Sequence, residues 1–341
     1  MCHAGNMFEI ADRILAAHES GRPLAVATAV SIDGSAPRTI GTSMAFDGSA
    51  VIGSIAGGCV EGAVVEQCEL VLADGVSRTV EYGVSDETAL SVGLTCGGQL
   101  RVLVQAFTPE LETQLRGGRA IASIVSGNAA AHGSRISAER AAAARTGLSV
   151  LDCGDVQVEV FFEVAMPQPR IIIFGAMEFS AALAEAARPL GFRVTVCDPR
   201  PLFATPARFP NAELVVTWPT EYLASTAIDE RTVICVLSHD ARFDAELVEQ
   251  ALALPVAYVG AMGSRSTHDR RIASLLERGV SVEALERLHS PIGLDLGAST
   301  PEETAISILA EIIAVRTGST AARLTTTTGS IHASQLMTSV Q

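Results

Sequence analysis

The spacing of apolar positions changes once along the chain, at a short proline-rich segment. Before it, Met7, Ala11, Ile14, Leu15 and His18 recur at helical spacing and predict an opening helix, closed by Gly21-Arg22-Pro23. Leu24–Ile32 is a run of small and β-branched residues, the pattern of a buried strand, and a turn follows at Gly34-Ser35-Ala36-Pro37. Ser43–Asp47 and Ala50–Ile55 flank Asp47–Gly48 and predict a hairpin. Gly57-Gly58-Cys59 leads into a helix with Val60, Val64, Cys68, Val71 and Leu72 on its inner face. Arg78–Tyr82, Gln99–Phe107 and Gln157–Val164 read as strands. Residues 108–150, rich in Ala, Arg and Gly, predict one helix near Glu112–Arg119.

Met166-Pro167-Gln168-Pro169 has two residues without a backbone donor and reads as a linker. After it, strands and helices alternate. Strands are predicted at Arg170–Phe174, Arg193–Cys197, Leu214–Val216, Thr232–Leu237 and Val256–Gly260, with helices at Glu178–Leu190 and Phe243–Leu252. Such alternation indicates a doubly wound parallel sheet. A last helix spans Pro301–Arg316, with a capping box from Thr300 and Glu303 and an expected inner stripe of Ile306, Leu309, Ala310 and Ile313. The expected organisation is α/β throughout: a mixed α/β domain at 1–166, a Rossmann-like domain at 167–318, and a Thr/Ser-rich tail at 319–341.

Composition narrows the function classes. The 341 residues are 48% hydrophobic and 18% charged, a globular balance. The net charge of −14 opposes binding to a phosphate backbone and makes a nucleic-acid partner unexpected. No apolar run reaches the length of a membrane helix, and residues 1–7 carry no signal pattern, so the expected location is cytoplasmic. The seven Cys include no CxxC pair, which points to free thiols and disfavours zinc.

Candidate chemistry in the second half sits where strands end. IIIFGAMEFS joins a strand to a helix, and Asp198 ends the next strand, 23 residues after Gly175. A dinucleotide-binding fold places its phosphate turn and ribose carboxylate at those positions. Met177 stands where the second glycine would admit a pyrophosphate, and Glu178 adds a negative charge, so NAD(P) is not the expected ligand. Asp198, before Pro199, reads equally as ribose binder or turn residue. Ser238-His239-Asp240 follows another strand and suits acid–base work or a polar cofactor, with a helix cap from Ser238 or Asp240 as the plain alternative. Gly260–Arg265, including Gly263 and Arg265, suits an anionic group or is a tight loop with a surface arginine.

In the first half, short side chains and glycines recur at Gly34–Arg38, Gly53–Glu61 and Thr95-Cys96-Gly97-Gly98. Cys59 follows Gly57 and Gly58 at an expected helix N-terminus, where backbone donors favour thiolate and anions. Cys96 precedes Gly97 and Gly98, and two Cys beside Gly–Gly read as accessible thiols near an approaching ligand, with small buried apolar residues as the plain alternative. Cys68 lies on the apolar stripe and reads as core.

These segments carry a resemblance. GSAPRTIGTSMAF, GSIAGGCVEGA, LTCGGQLRV, VICVLSHDARFDAELV, AYVGAMGSRSTHDRR and HSPIGLDLGASTPEETAISILAEI resemble the XdhC/CoxI-type accessory proteins of xanthine dehydrogenase and related molybdenum hydroxylases. The resemblance runs from about residue 24 to 316. It implies an XdhC/CoxI domain followed by a Rossmann-like domain, and a chaperone that binds the molybdenum cofactor, as molybdopterin or its dinucleotide form. It further implies support of cofactor sulfuration and delivery to a hydroxylase such as xanthine dehydrogenase, with a desulfurase as sulfur donor. Carried over by position, Cys59 and Cys96 are the cofactor-site candidates, with Cys59 also near the molybdenum. Arg38, His239, Asp240, Gly263 and Arg265 support them. The family reads like GAGHVA where this chain has GAMEFS. A homodimer is expected from the frequency of two-fold assemblies. The competing reading is an NAD(P)-dependent oxidoreductase. A complete hydroxylase is excluded by chain length and the lack of iron–sulfur cysteine clusters.

Overall fold

The computed structural model describes residues 5–34, 38–83, 98–128, 133–153, 156–238, 240 and 242–328. The described residues up to Met166 form one unit, and Pro167–Thr327 form a second.

The first unit is mixed α/β. Its main sheet has the order β3-β2-β1-β5-β4, with β1 Ala25–Asp33, β2 Ser43–Phe46, β3 Val51–Gly53, β4 Arg78–Tyr82 and β5 Gln99–Ala106. Every pairing is antiparallel, and β1 lies centrally between β2 and β5. Its sequence explains that place. Ala25, Ala27 and Ala29 face a core shared with Val64, Cys68 and Val71 of α2 (Glu61–Asp74). Leu24 and Val26 face the opposite core, with Ile14 of α1 (Ala11–Glu19) and Leu111 and Leu115 of α3 (Pro109–Arg116). A strand buried on both faces needs apolar residues at successive positions, so it shows no alternation.

Residues 120–153 hold elements that the pattern of Ala, Ser and Gly did not reveal, and these pair with the strand expected at Gln157–Val164. A three-stranded antiparallel sheet has the order β6-β8-β7, with β6 Ala120–Ser126, β7 Gly147–Cys153 and β8 Val156–Val164. Helix α4 (Gly133–Ala142) lies between β6 and β7 in the chain. Phe161 of β8 and Val125 of β6 pack with Val30 and Leu103 of the main sheet. Within this unit Glu163 is almost fully buried, and its Oε1 accepts the Met7 N–H at 2.6 Å. Burial pushes its carboxyl up to about 8.

The second unit is a Rossmann-like parallel sheet of six strands. They are β9 Arg170–Phe174, β10 Arg193–Cys197, β11 Glu213–Val215, β12 Val233–Val236, β13 Tyr258–Ala261 and β14 Leu288–His289. The order is β11-β10-β9-β12-β13-β14, so the chain winds outward in one direction from β9 and then restarts beside it at β12. Ile171 and Ile173 face α5 (Glu178–Ala187) and α10 (Pro301–Thr317). Ile172 and Phe174 face the opposite layer, with Leu247 and Val248 of α7 (Asp244–Leu252). Helices α6 (Pro219–Ser225), α8 (Arg265–Glu277) and α9 (Val282–Leu285) complete the unit. A 3₁₀ turn at Arg188–Leu190 ends the helix expected to run to Leu190.

The Thr300 and Glu303 capping box of α10 is present, but the expected stripe is out of phase. Ile306 and Ile313 are exposed, whereas Ala305, Ile308, Leu309 and Ile312 are buried. The helix is apolar on nearly every side, so its sequence leaves the phase open and packing against α5 sets it.

Candidate functional site

The C-terminal ends of β9, β10 and β12 border a cleft of about 310 Å³, lined by Met177, Asp198, Arg200, Ser238, Asp240 and Phe243. Doubly wound sheets bind ligands at this place, where the strand order reverses.

The turn after β9 is shaped by its neighbours. Gly175 has a φ of 108°, and a Cβ there would lie 2.9 Å from the Ser238 backbone nitrogen. Glycine is needed for the close approach of the segment after β12. The next donors are committed: Ala176 N–H donates to Asp198 Oδ2 at 2.7 Å, and Met177 N–H to Ser180 Oγ at 3.4 Å.

Asp198 is 2% exposed. Its Oδ1 accepts from Arg200 N and Nε, each at 2.9 Å, and its Oδ2 accepts from Arg200 Nη2 at 2.8 Å. Burial raises the Asp198 carboxyl, but the bonds from Arg200 and Ala176 outweigh it and hold it below the usual carboxylate value. In this geometry the carboxylate accepts from Arg200 in its own loop and from Ala176 in the turn after β9. The Arg200 guanidinium lies 4.4 Å from the centre of the Phe203 ring. Arg208 Nη1 donates to Ala176 O at 3.1 Å, at the same edge.

After β12 the same device recurs. Asp240 Oδ1 accepts from Arg242 N at 3.1 Å and Nε at 2.9 Å, and its Oδ2 bonds Arg242 Nη2. The Arg242 side chain pulls the Asp240 carboxyl down to about 2. The N-cap of α7 is Phe243, with no side-chain cap, so neither Ser238 nor Asp240 caps it. The Ser238 hydroxyl is buried and has no hydrogen-bond partner among the described residues. Arg200 and Arg242 were missed by sequence reasoning. The signal available was the spacing Asp-x-Arg after two different strands.

In the first unit, Gly57 (φ 76°) and Gly58 (φ 114°) form the turn before α2. Several donors expected to be free there are taken: Gly57 N–H donates to Ser54 Oγ at 3.2 Å, and others go to Glu61. Its carboxylate accepts from Ser54 Oγ at 2.7 Å, Ala56 N at 2.9 Å, Gly58 N at 2.8 Å and Val60 N at 3.2 Å. Burial raises the Glu61 carboxyl, and these bonds bring it below its ordinary value. An acidic residue in the first turn folds back onto the orphan donors of its own helix. Cys59 is half-buried beside the core that holds Cys68, and the Cys68 thiol is pushed up to about 12 by burial.

Gly175, Asp198 and Asp240 are thus brought to one sheet edge, and Gly57, Gly58 and Cys59 share one turn. Arg38 is exposed, and Gly98 is buried just before β5. Gly263 (φ 155°) precedes the Ser264 N-cap of α8, and Arg265 is exposed in its first turn. Cys96, Gly97 and His239 lie outside the described residues, as do residues 329–341 of the tail. Among the described residues no group of three or more His, Cys, Asp or Glu side chains is placed to hold a metal ion. No described helix is long and apolar enough to cross a membrane.

Comparison with known proteins adds to this geometry. Residues 17–83 match the model of the XdhC and CoxI family, and residues 171–312 match the XdhC Rossmann domain. A probable xanthine dehydrogenase subunit of Bacillus subtilis is 28% identical over 333 residues, spanning 92% of this chain and 98% of that protein. The "Molybdenum cofactor insertion chaperone PaoD" of Escherichia coli is 26% identical over 306 residues, 87% of this chain and 85% of that one. A crystal structure described as a xanthine dehydrogenase from Bacillus halodurans has a TM-score of 0.68 and 25% identity, covering 91% of this chain and 96% of that chain.

Proposed function

The chain belongs to the XdhC and CoxI family, and from that premise we propose that it is an accessory protein that binds the molybdenum cofactor and delivers it to a molybdenum hydroxylase. The observation that carries this reading is the similarity, over 87% of the chain, to a molybdenum cofactor insertion chaperone. A client of the xanthine dehydrogenase type fits the name of the Bacillus subtilis relative. In this reading the cofactor is sulfurated while bound, with a desulfurase as donor, and the protein works as a homodimer in the cytoplasm.

The residues present fit such a group in the turn before α2. Ideal Cβ atoms at Gly57 and Gly58 would meet nothing within 4 Å, so a ligand has open access to bare backbone beside the Cys59 thiol. Glu61 holds the turn by its amide donors, which leaves a soft sulfur ligand rather than an anion nest as the chemistry on offer. The cofactor, when bound, supplies a redox-active molybdenum held through a dithiolene. Cys59 would contact the metal end. Gly57 and Gly58 would let the ligand approach, and Glu61 keeps their backbone in place.

The order β11-β10-β9-β12-β13-β14 favours the second reading, an NAD(P)-dependent oxidoreductase. Against it stand the committed donors of Ala176 and Met177 and the internal pairing of Asp198. The test is reconstitution. Protein from a host that makes the cofactor is mixed with a cofactor-free hydroxylase, and client turnover is followed. Restored turnover supports delivery; none, with a competent client, contradicts it.

A further inference from the structure

We propose that the cleft above β9, β10 and β12 binds the diphosphate of a nucleotide-type ligand through Arg200, Arg242 and the Ser238 hydroxyl, and not through the glycine turn. The inference deepens the cofactor reading and rests on it only for the identity of the natural ligand.

The place is the reversal point of a parallel sheet, and about 310 Å³ is room for a small organic ligand. The usual phosphate holder is already occupied. The N–H groups of Ala176 and Met177 are committed to Asp198 and Ser180. Glu178, exposed in the first turn of α5, repels an anion from that helix end.

The opposite rim offers cations. The chain has no lysine, so apart from histidine every basic side chain is an arginine. The net charge is −14, yet Arg200, Arg208 and Arg242 are all at this edge. Arg200 and Arg242 each bind their own carboxylate through Nε and Nη2, which leaves each Nη1 uncommitted among the described residues. Asp198 and Asp240 would repel an anion if they were unpaired. Paired, they are neutralised and act as positioning residues that fix two guanidinium planes. Planar, always-charged and already ordered, such groups lose little entropy when they take a phosphate oxygen.

Ser238 supplies the independent observation. A buried hydroxyl without a partner is costly, and this one belongs to a residue that lines the cleft. A ligand oxygen there would remove the cost.

The structure also supplies a reporter. Trp218, the single tryptophan, has its ring 5.3 Å from the Arg242 guanidinium and 5.2 Å from the ring of Phe243, which lines the cleft. The experiment titrates the full chain with CDP, GDP and inorganic diphosphate, with cytidine as the uncharged control. Trp218 fluorescence and calorimetry are both read. The diphosphate-bearing probes should bind and cytidine should not. Arg242→Ala should weaken binding about tenfold, the loss of one charge-assisted bond, with little change in melting temperature because this side chain is 68% exposed. Ser238→Ala should weaken binding several-fold. Arg200→Lys keeps the charge but loses the fork and should also weaken binding. If that variant fails to fold, the other two decide. Absence of binding by all three probes at millimolar concentration overturns the proposal. So does equal binding by the parent and the Arg242 and Ser238 variants. The probes contain neither molybdenum nor pterin, so failure here is distinct from failure of the cofactor reading.

Discussion

The backbone N–H of Ala176 donates to Asp198 Oδ2 at 2.7 Å, so the carboxylate at the ribose position ties the loop after β10 to the glycine turn after β9. A dinucleotide would have to break this bond and displace Arg200 to use the turn. NADH should therefore not seat its diphosphate on the glycine turn, and any binding it shows should pass through the rim arginines and weaken in the Arg242→Ala variant. Binding unaffected by that substitution, or a structure with the dinucleotide across Gly175, would contradict this.

Asp198→Asn keeps the shape and removes the charge that pairs with Arg200. With the group this deeply buried, the loss should be about 1–3 kcal/mol at neutral pH. The pH dependence has a definite sign. The folded carboxyl titrates below its ordinary value of 3.8, so its contribution is present above that pH and is lost as pH falls through the folded value. Urea unfolding of parent and variant should show their difference shrinking in acid. A constant difference across that range would rule out the charge as its source.

Glu163 has the opposite sign. Its folded pKa is raised from 4.5 to about 8, so the stability it contributes is complete below the unfolded value and is lost as pH rises through the folded one. The slope should approach about 1.4 kcal/mol per pH unit between the two values. Glu163→Gln keeps an acceptor for the Met7 N–H and should flatten that slope. Unfolding free energies across a pH series check this, and an unchanged slope in the variant would count against it.

Cys59 and Cys68 lie nine residues apart, in opposite settings. Cys59→Ser should lower cofactor retention with little change in melting temperature. Cys68→Ser buries a hydroxyl in the core under α2 and should cost about 1–3 kcal/mol while leaving retention intact. Bound molybdenum and melting temperature, measured on both variants, separate the two roles. Full retention by the Cys59 variant would remove this thiol from the site.

The sequence made the second unit's sheet legible because β9, β10 and β12 are short apolar runs bounded by turn residues. It hid α8 because that helix turns an arginine inward. Arg271 is buried, with Nε 2.8 Å from Asp244 Oδ2, and it interrupts an inner face otherwise marked by Ile272 and Leu275. In β6 and β7, Ala, Ser and Gly fit helix, strand and loop equally, and pairing with β8 decides. At the site, Gly175, Asp198 and Asp240 were legible from their positions after strands. Their partners were not. Which way Arg200, Arg242 and Glu61 fold depends on acceptors and donors that only the folded loop brings together.

The most direct measurement for the central claim is the molybdenum and pterin content of the protein purified from a host that makes the cofactor. The account predicts both, in a fixed ratio to each other, with less of each in the Cys59→Ser variant. Protein that carries neither molybdenum nor pterin, purified beside a cofactor-loaded client from the same cells, would contradict it.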